Sequence, residues 1–204
     1  MKLIAVTGAI AAGATTLGKT LVAANGWTPF FEADVERANP FFALYHEDPP
    51  RYALHNQLAF LAQSSELHDA MRTRDAGVAV QDYTPFEHTE VYARTQASLG
   101  RLDHRELALL ERLTVFVERS FIVPSVLVYR RLSEAALLER VQGRGRPSEQ
   151  KLDLEFLKAV RERFEDWASK WSRSPVITVD ETFDALSSGG HIAELSTKIV
   201  KLLT

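Results

Sequence analysis

The chain has 204 residues, 46% of them hydrophobic and 25% charged, a balance that suits one globular domain over 1–204 with a proper core and excludes disorder as the default. Its net charge of -3, with no obviously basic face, argues against a duplex nucleic-acid binder. The absence of cysteine rules out disulfides and thiolate metal sites, and no apolar run approaches the ~20 residues of a membrane span or follows a signal-peptide pattern, so no membrane partner and a cytoplasmic location are expected.

The first twenty residues organise the rest. A short apolar strand, Lys2 to Val6, runs into Thr7 and Gly8, then into small residues, then into a helix that ends at Asn25-Gly26. This is the layout of a phosphate-binding loop, in which glycines let backbone N–H groups surround phosphate oxygens and the following helix points its positive end at them. Two registers compete. The pattern G-x-x-x-x-G-K-[ST] matches Gly13 to Thr20, but it lacks a strand directly in front and leaves little helix behind. The earlier register has both, and it makes Gly8, Ala9, Ala11, Ala12, Gly13, Ala14, Thr15 and Thr16 the candidate phosphate contacts. Its lysine position is then Ala14, and Thr15 supplies a hydroxyl where a magnesium ligand belongs. Lys19 lies about 140° further round the helix and is badly placed to substitute.

Four further β-rich runs follow, TPFFEA near 28, VAVQDY near 78, SVLVYR near 125 and VITVD near 176, with helical stretches between them. The alternation predicts an α/β fold with a five-stranded parallel sheet and helices on both faces, and ligands at the carboxyl ends of the strands. Glu32 follows the second strand, and Asn39-Pro40-Phe41-Phe42 reads as a break. Asp48-Pro49-Pro50 starts a helix to about Met71, with Leu54, Leu58, Leu61 and Leu67 as its core stripe. Asp82 closes the third strand ahead of Tyr83-Thr84-Pro85, and helices near 86 to 98 and 103 to 120 come next; the second carries Leu107, Leu110, Leu113 and Val117, a stripe that suits the core or a second copy equally. Ser133 caps a helix through Arg140. The arginines at 140, 144 and 146, spaced by glycine, form either a solvated basic turn or a segment that closes over phosphates. Helices at about 149 to 171 and 191 to 203 end the chain.

With these parts in order the chain resembles the deoxynucleoside kinases, particularly the bacterial deoxyadenosine/deoxyguanosine kinase branch. The resemblance covers nearly the whole length and rests on NPFFALYHEDPPRYALHNQLAFL at 39 to 61, on Asp82, and on ERVQGRGRPSEQ at 139 to 150. It implies a P-loop NTPase fold with an arginine-rich lid. It also implies transfer of the γ-phosphate of ATP, with Mg2+, to the 5'-hydroxyl of a purine deoxynucleoside. Residue by residue, Glu32 matches the general base, Gln57 the glutamine that reads the base, and Thr15 and Asp82 the groups near magnesium. Arg140, Arg144 and Arg146 match the lid arginines, and Glu149 the lid glutamate near the sugar 3'-hydroxyl.

The departures are concentrated at the phosphate and base contacts. Ala14 stands for the loop lysine, Ala11 for a glycine, and Tyr83 for an arginine next to Asp82. His46 sits where a sugar-contacting tyrosine is usual, while Ser64 and His88 replace an arginine and an aspartate of the base pocket. Loss of one preorganised cationic donor costs about a hundredfold to a thousandfold in rate. The expectation is therefore a deoxynucleoside kinase with weak or lost activity or, alternatively, a silent nucleotide-binding or regulatory subunit. In either case a homodimer, or a heterodimer with a paralogous kinase subunit, is expected.

Overall fold

The computed structural model describes residues 1–31, 38–74, 77–144, 153–183 and 189–204. Its strands are β1 (Lys2–Gly8), β2 (Thr28–Phe30), β3 (Val78–Gln81), β4 (Val126–Arg130) and β5 (Val176–Val179). They form one sheet in the order β2-β3-β1-β4-β5, and every neighbouring pair is parallel. Because parallel strands need crossovers, helices lie on both faces, and the central strands are apolar on both sides. Ile4, Val6, Val126 and Val128 enter one core together with Leu17, Leu21, Ile192 and Ile199. Their alternates Ala5, Leu127 and Tyr129 enter the other, with Leu110, Phe164, Trp167 and Trp171.

The first core is covered by α1 (Ala14–Asn25) and the C-terminal helix α8 (Gly189–Leu203). The second is covered by α2 (Phe42–Glu47), α3 (Pro49–Thr73), α4, α5 (His104–Val117), α6 (Glu134–Arg144) and α7 (Leu154–Lys170). Helix α4 is composite, with Pro85–Glu87 and Arg94–Ser98 flanking a π-helical segment, His88–Ala93. A π-helical stretch widens the turn at an energetic cost and is found mostly where function sets the geometry. It begins here with a candidate site residue.

Several boundaries differ from the sequence expectation. The break at 39–42 leads into the short helix α2, because Asn39 is buried, its Oδ1 accepts the Phe41 N–H at 2.9 Å, and its amide donates to Asn56 Oδ1 at 2.8 Å. Asp48 caps α3 as expected, accepting the Arg51 N–H, with proline in the first turn. Strand β3 ends at Gln81, one residue before Asp82. Helix α5 gives way to a 3-10 turn at Glu118–Ser120. Asp153 caps α7, which the sequence had beginning near 149.

The inner stripe of α3 also departs from expectation. Leu61 is buried, but Leu54, Leu58 and Leu67 are only partly so, whereas Asn56, Gln57, Ser64 and His68 are more completely enclosed. A helix that turns a polar stripe inward faces something polar.

Candidate active site

The site sits at the carboxyl ends of β1 and β3, neighbours in the middle of the sheet, where open parallel sheets collect ligands. The loop after β1 takes the earlier of the two registers. Gly8 closes the strand, Ala12 N–H donates to Ala9 O at 2.9 Å, and α1 starts at Ala14 with Gly13 as its cap. Gly8 must lack a side chain, since a Cβ there would lie 2.6 Å from Arg130 O. Gly13 has φ 89° and Ala11 φ 64°, so both occupy the left-handed region. For glycine this is free; for alanine it costs about 1–2 kcal/mol. Left-handed residues ahead of a helix N-terminus are a backbone arrangement that suits an anion. Thr15 and Thr16 are exposed at this end of α1, and Lys19, also exposed, lies a turn further on, away from the loop.

Thr15 Oγ1 donates to Asp82 Oδ2 at 2.7 Å, which brings together the two residues assigned to magnesium. The turn that carries Asp82 is fixed from behind by Glu87. This buried carboxylate accepts Thr7 Oγ1 at 2.5 Å and the Thr84 N–H at 3.0 Å, tying β1 to the start of α4. Arg140, on α6, reaches the loop from the other side. Its Nη1 donates to Ala12 O at 3.2 Å and lies 2.9 Å from where a Cβ on Gly13 would be. This is a second reason for glycine at 13.

Beyond Asp82 lies a buried cluster of side chains. Tyr83 is buried, with its ring centroid 5.4 Å from that of His88. His88 Nε2 and Ser64 Oγ are hydrogen-bonded at 2.9 Å, and Phe60 stacks on the imidazole at 5.3 Å and 14°. Ser64 and His88 thus bond to each other across 24 residues. Burial pushes the His88 imidazole down to about 3 and the neighbouring His68 to about 4, so both are neutral at physiological pH. Gln57 lies two turns before Ser64 on the same face of α3, only 3% exposed, and its Oε1 has no partner among the described residues. His46 joins the same aromatic chain, since its ring meets Phe42 at 4.7 Å and Phe42 meets Phe60 at 6.4 Å.

Glu32, Arg146 and Glu149 lie outside the described residues, as does the side chain of Arg144, whose backbone closes α6. Among the described candidates, Thr15 meets Asp82, Arg140 meets the loop, and Tyr83, His88 and Ser64 meet one another, while Gln57 lies on the same face of α3 as Ser64.

Sequence reasoning missed Glu87, Gln81, His68, Tyr45, Gln96 and Arg101. The Tyr45 hydroxyl accepts Gln96 Nε2 at 2.5 Å and Arg101 Nη1 at 3.2 Å, while Arg101 also pairs with Asp153, the cap of α7. Burial raises the Tyr45 phenol above its ordinary value. The signal for these residues was faint: polar positions inside apolar stripes for those on helices, with Gln81 at the end of β3 and Arg101 between helices, all visible only once the facing surface is known.

A family model described as deoxynucleoside kinase matches residues 4–203. The chain belongs to the deoxynucleoside kinase family. Among its relatives, a deoxyadenosine/deoxycytidine kinase of Bacillus subtilis is 27% identical over 205 residues, covering 98% of this chain and 93% of that protein. A deoxyguanosine kinase of Lactobacillus acidophilus is 28% identical over 198 residues, covering 92% and 85%. The fold is that of the deoxyadenosine kinase of M. mycoides. Its structure with bound dCTP superposes with a TM-score of 0.84 at 20% identity, covering 98% of this chain and 99% of that one. The deoxynucleoside kinase framework therefore spans nearly the whole chain.

Proposed function

We propose that this chain binds a purine deoxynucleoside in the Gln57–Ser64–His88 pocket and ATP over the 8–16 loop, and that the isolated chain transfers the γ-phosphate weakly or undetectably. The observation that carries this reading is the Thr15–Asp82 hydrogen bond, which ties the start of α1 after the 8–13 loop to the end of β3; the buried, unpartnered Gln57 oxygen on α3 is a free acceptor besides. Thr15 and Asp82 are oxygen donors on one small surface, and among the described residues no cluster of three or more His, Cys, Asp or Glu offers an alternative. That suits magnesium, which keeps several waters and takes few protein ligands; when bound, it offsets phosphate charge.

In the transfer, the 5'-oxygen bonds to the γ-phosphorus as the bond to the bridging oxygen of the leaving diphosphate breaks. The hydroxyl proton passes to a carboxylate, the role the resemblance gives to Glu32. Arg140 is the cation already at the loop, and the resemblance gives Arg144 and Arg146 the same phosphate-neutralising role. Glu149 is assigned to the sugar and His46 to its neighbourhood.

The second reading, a catalytically silent partner of an active paralogue, is favoured by Ala14 and by the burial of Tyr83 against His88, where the family places a cation. Both readings call for a partner subunit. On α5, Leu109, Leu113 and Phe116 are 48%, 39% and 65% exposed at helical spacing, an apolar face suited to a second copy or a paralogue. We place the chain in the cytoplasm.

The deciding experiment measures ATP and deoxynucleoside binding by calorimetry alongside turnover on rigorously pure protein. Binding with little turnover is expected. Efficient turnover overturns the weak-activity reading, and loss of nucleotide binding in the R144A/R146A variant is expected if the segment grips phosphate. Light scattering showing a monomer at high concentration overturns the subunit pairing.

A further inference from the structure

Helix α2 is six residues long, too short to keep its shape unaided in water, so its position is set by what it is bonded to. Two buried anchors hold it. Ahead of its first turn, the Asn39 amide donates to Asn56 Oδ1 on α3 at 2.8 Å. Near its end, the Tyr45 hydroxyl accepts Gln96 Nε2 at 2.5 Å and Arg101 Nη1 at 3.2 Å. These two donors are delivered by the way α4 stops. Gly100 has φ 70°, its N–H donates to Ala97 O at 3.0 Å, and the Arg101 N–H donates to Gln96 O at 2.9 Å, the paired bonds of a left-handed helix stop. Gln96 and Arg101 are thus tied through the backbone, and both side chains arrive at one oxygen from one turn. Arg101 is held in its turn by α7: its Nη2 pairs with Asp153 Oδ2, while Asp153 Oδ1 accepts the Glu155 N–H, and its guanidinium lies 4.9 Å from the Phe156 ring centroid. A planar fork can serve Tyr45 and Asp153 together, which a lysine ammonium cannot match.

Next to Tyr45 in the chain is His46, whose ring lies 5.2 Å from the Tyr45 ring and 4.7 Å from that of Phe42. We infer that Tyr45, Gln96 and Arg101 are positioning residues that act through His46: they fix the end of α2, and with it the imidazole, before a deoxynucleoside arrives. The inference rests on the deoxynucleoside reading proposed above, which puts His46 in the neighbourhood of the sugar, and adds the residues that hold it there. Tyr45 is 5% exposed and Gln96 1%, so their part is played from within the protein. An imidazole on an unanchored six-residue helix would have to be ordered as the ligand binds, and that ordering is subtracted from affinity.

The test is a double-mutant cycle read by calorimetric binding, which needs no turnover. Tyr45→Phe removes the hydroxyl and keeps the ring. It should weaken 2'-deoxyadenosine and 2'-deoxyguanosine alike, because the sugar is common to both, by about fivefold to tenfold, the range of one net hydrogen bond. Affinity for ATP should stay within about twofold, which a general loss of structure would not allow. In a His46→Ala background the same Tyr45→Phe change should cost the nucleosides nothing further, since the residue through which it acts is gone. An equal loss in both backgrounds overturns the inference, because Tyr45 then acts without His46. A folded Tyr45→Phe or His46→Ala variant that binds both nucleosides as the unmodified chain does overturns it too, while leaving the kinase reading intact. If Tyr45→Phe does not fold, Arg101→Lys decides by the same cycle: it keeps the charge without the fork, and its loss of nucleoside affinity should vanish in the His46→Ala background. Binding of neither nucleoside by the folded, unmodified chain overturns the kinase reading, and this inference with it.

Discussion

In the loop at 8–16 the groups available to an anion belong to the backbone, held in place by a glycine against Arg130 and by two left-handed residues. Across Asp82, the buried polar groups are side chains, Gln57 and the hydrogen-bonded pair Ser64 and His88. A backbone cradle survives side-chain substitution, because its amides are fixed by φ and ψ; this is why Ala14 leaves the loop's shape intact while removing its cation. A side-chain pocket has no such reserve. Substitution there changes what is recognised.

The sharpest way to test the neutrality of the pocket is acid. His68 and His88 are held well below the ordinary imidazole value by burial, at about 4 and about 3. The unfolded chain therefore binds more protons than the folded one once pH drops below about 6.5. Their contribution to stability is complete above that pH and is lost as pH falls toward 4, on the order of a few kcal/mol. Denaturant titrations at pH 7.5, 6, 5 and 4 should show the decline, and His88→Asn should make it shallower. An equally steep decline in that variant would show His88 titrating normally.

Next in size is Glu87, which joins the two regions. Glu87→Ala removes a buried acceptor from Thr7 and the Thr84 N–H and should cost about 2–3 kcal/mol by chemical denaturation. Nucleotide affinity should fall with it, because the turn carrying Asp82 loses its anchor.

Restoring charge tests the loop against the pocket directly. The Ala14→Lys, Tyr83→Arg double variant should gain deoxynucleoside kinase activity by at least about tenfold, roughly 1.4 kcal/mol of barrier. If it folds and binds nucleotide but gains nothing, the limit lies in the Ser64 and His88 side of the site. The smallest effect belongs to Ala11, whose φ of 64° suits glycine. Ala11→Gly should raise stability by about 0.5–1 kcal/mol, the relief of left-handed strain less the entropy of glycine, visible as a small rise in Tm.

What was legible in the chain was what depends on local pattern. The five apolar runs became five parallel strands, and the turn from Gly8 to Thr15 took the register that its preceding strand required. Asp48 and Ser133 cap helices where their positions predicted, because capping needs only the next three residues. The leucine stripe of α3 misled, since periodicity finds an apolar face but cannot say that a polar stripe beside it is the one turned inward.

The sequence by itself determined the fold class and the strand-to-helix register of the first loop, because each is written in residues close together or in order along the chain. Only the tertiary structure decided that Ser64 bonds His88 across 24 residues, that Thr15 meets Asp82 across 67, and that Glu87 pins Thr7 across 80. Such pairings depend on how α1, α3 and α4 are laid against the sheet. That arrangement is set by side chains from all of them packing together into the same two cores.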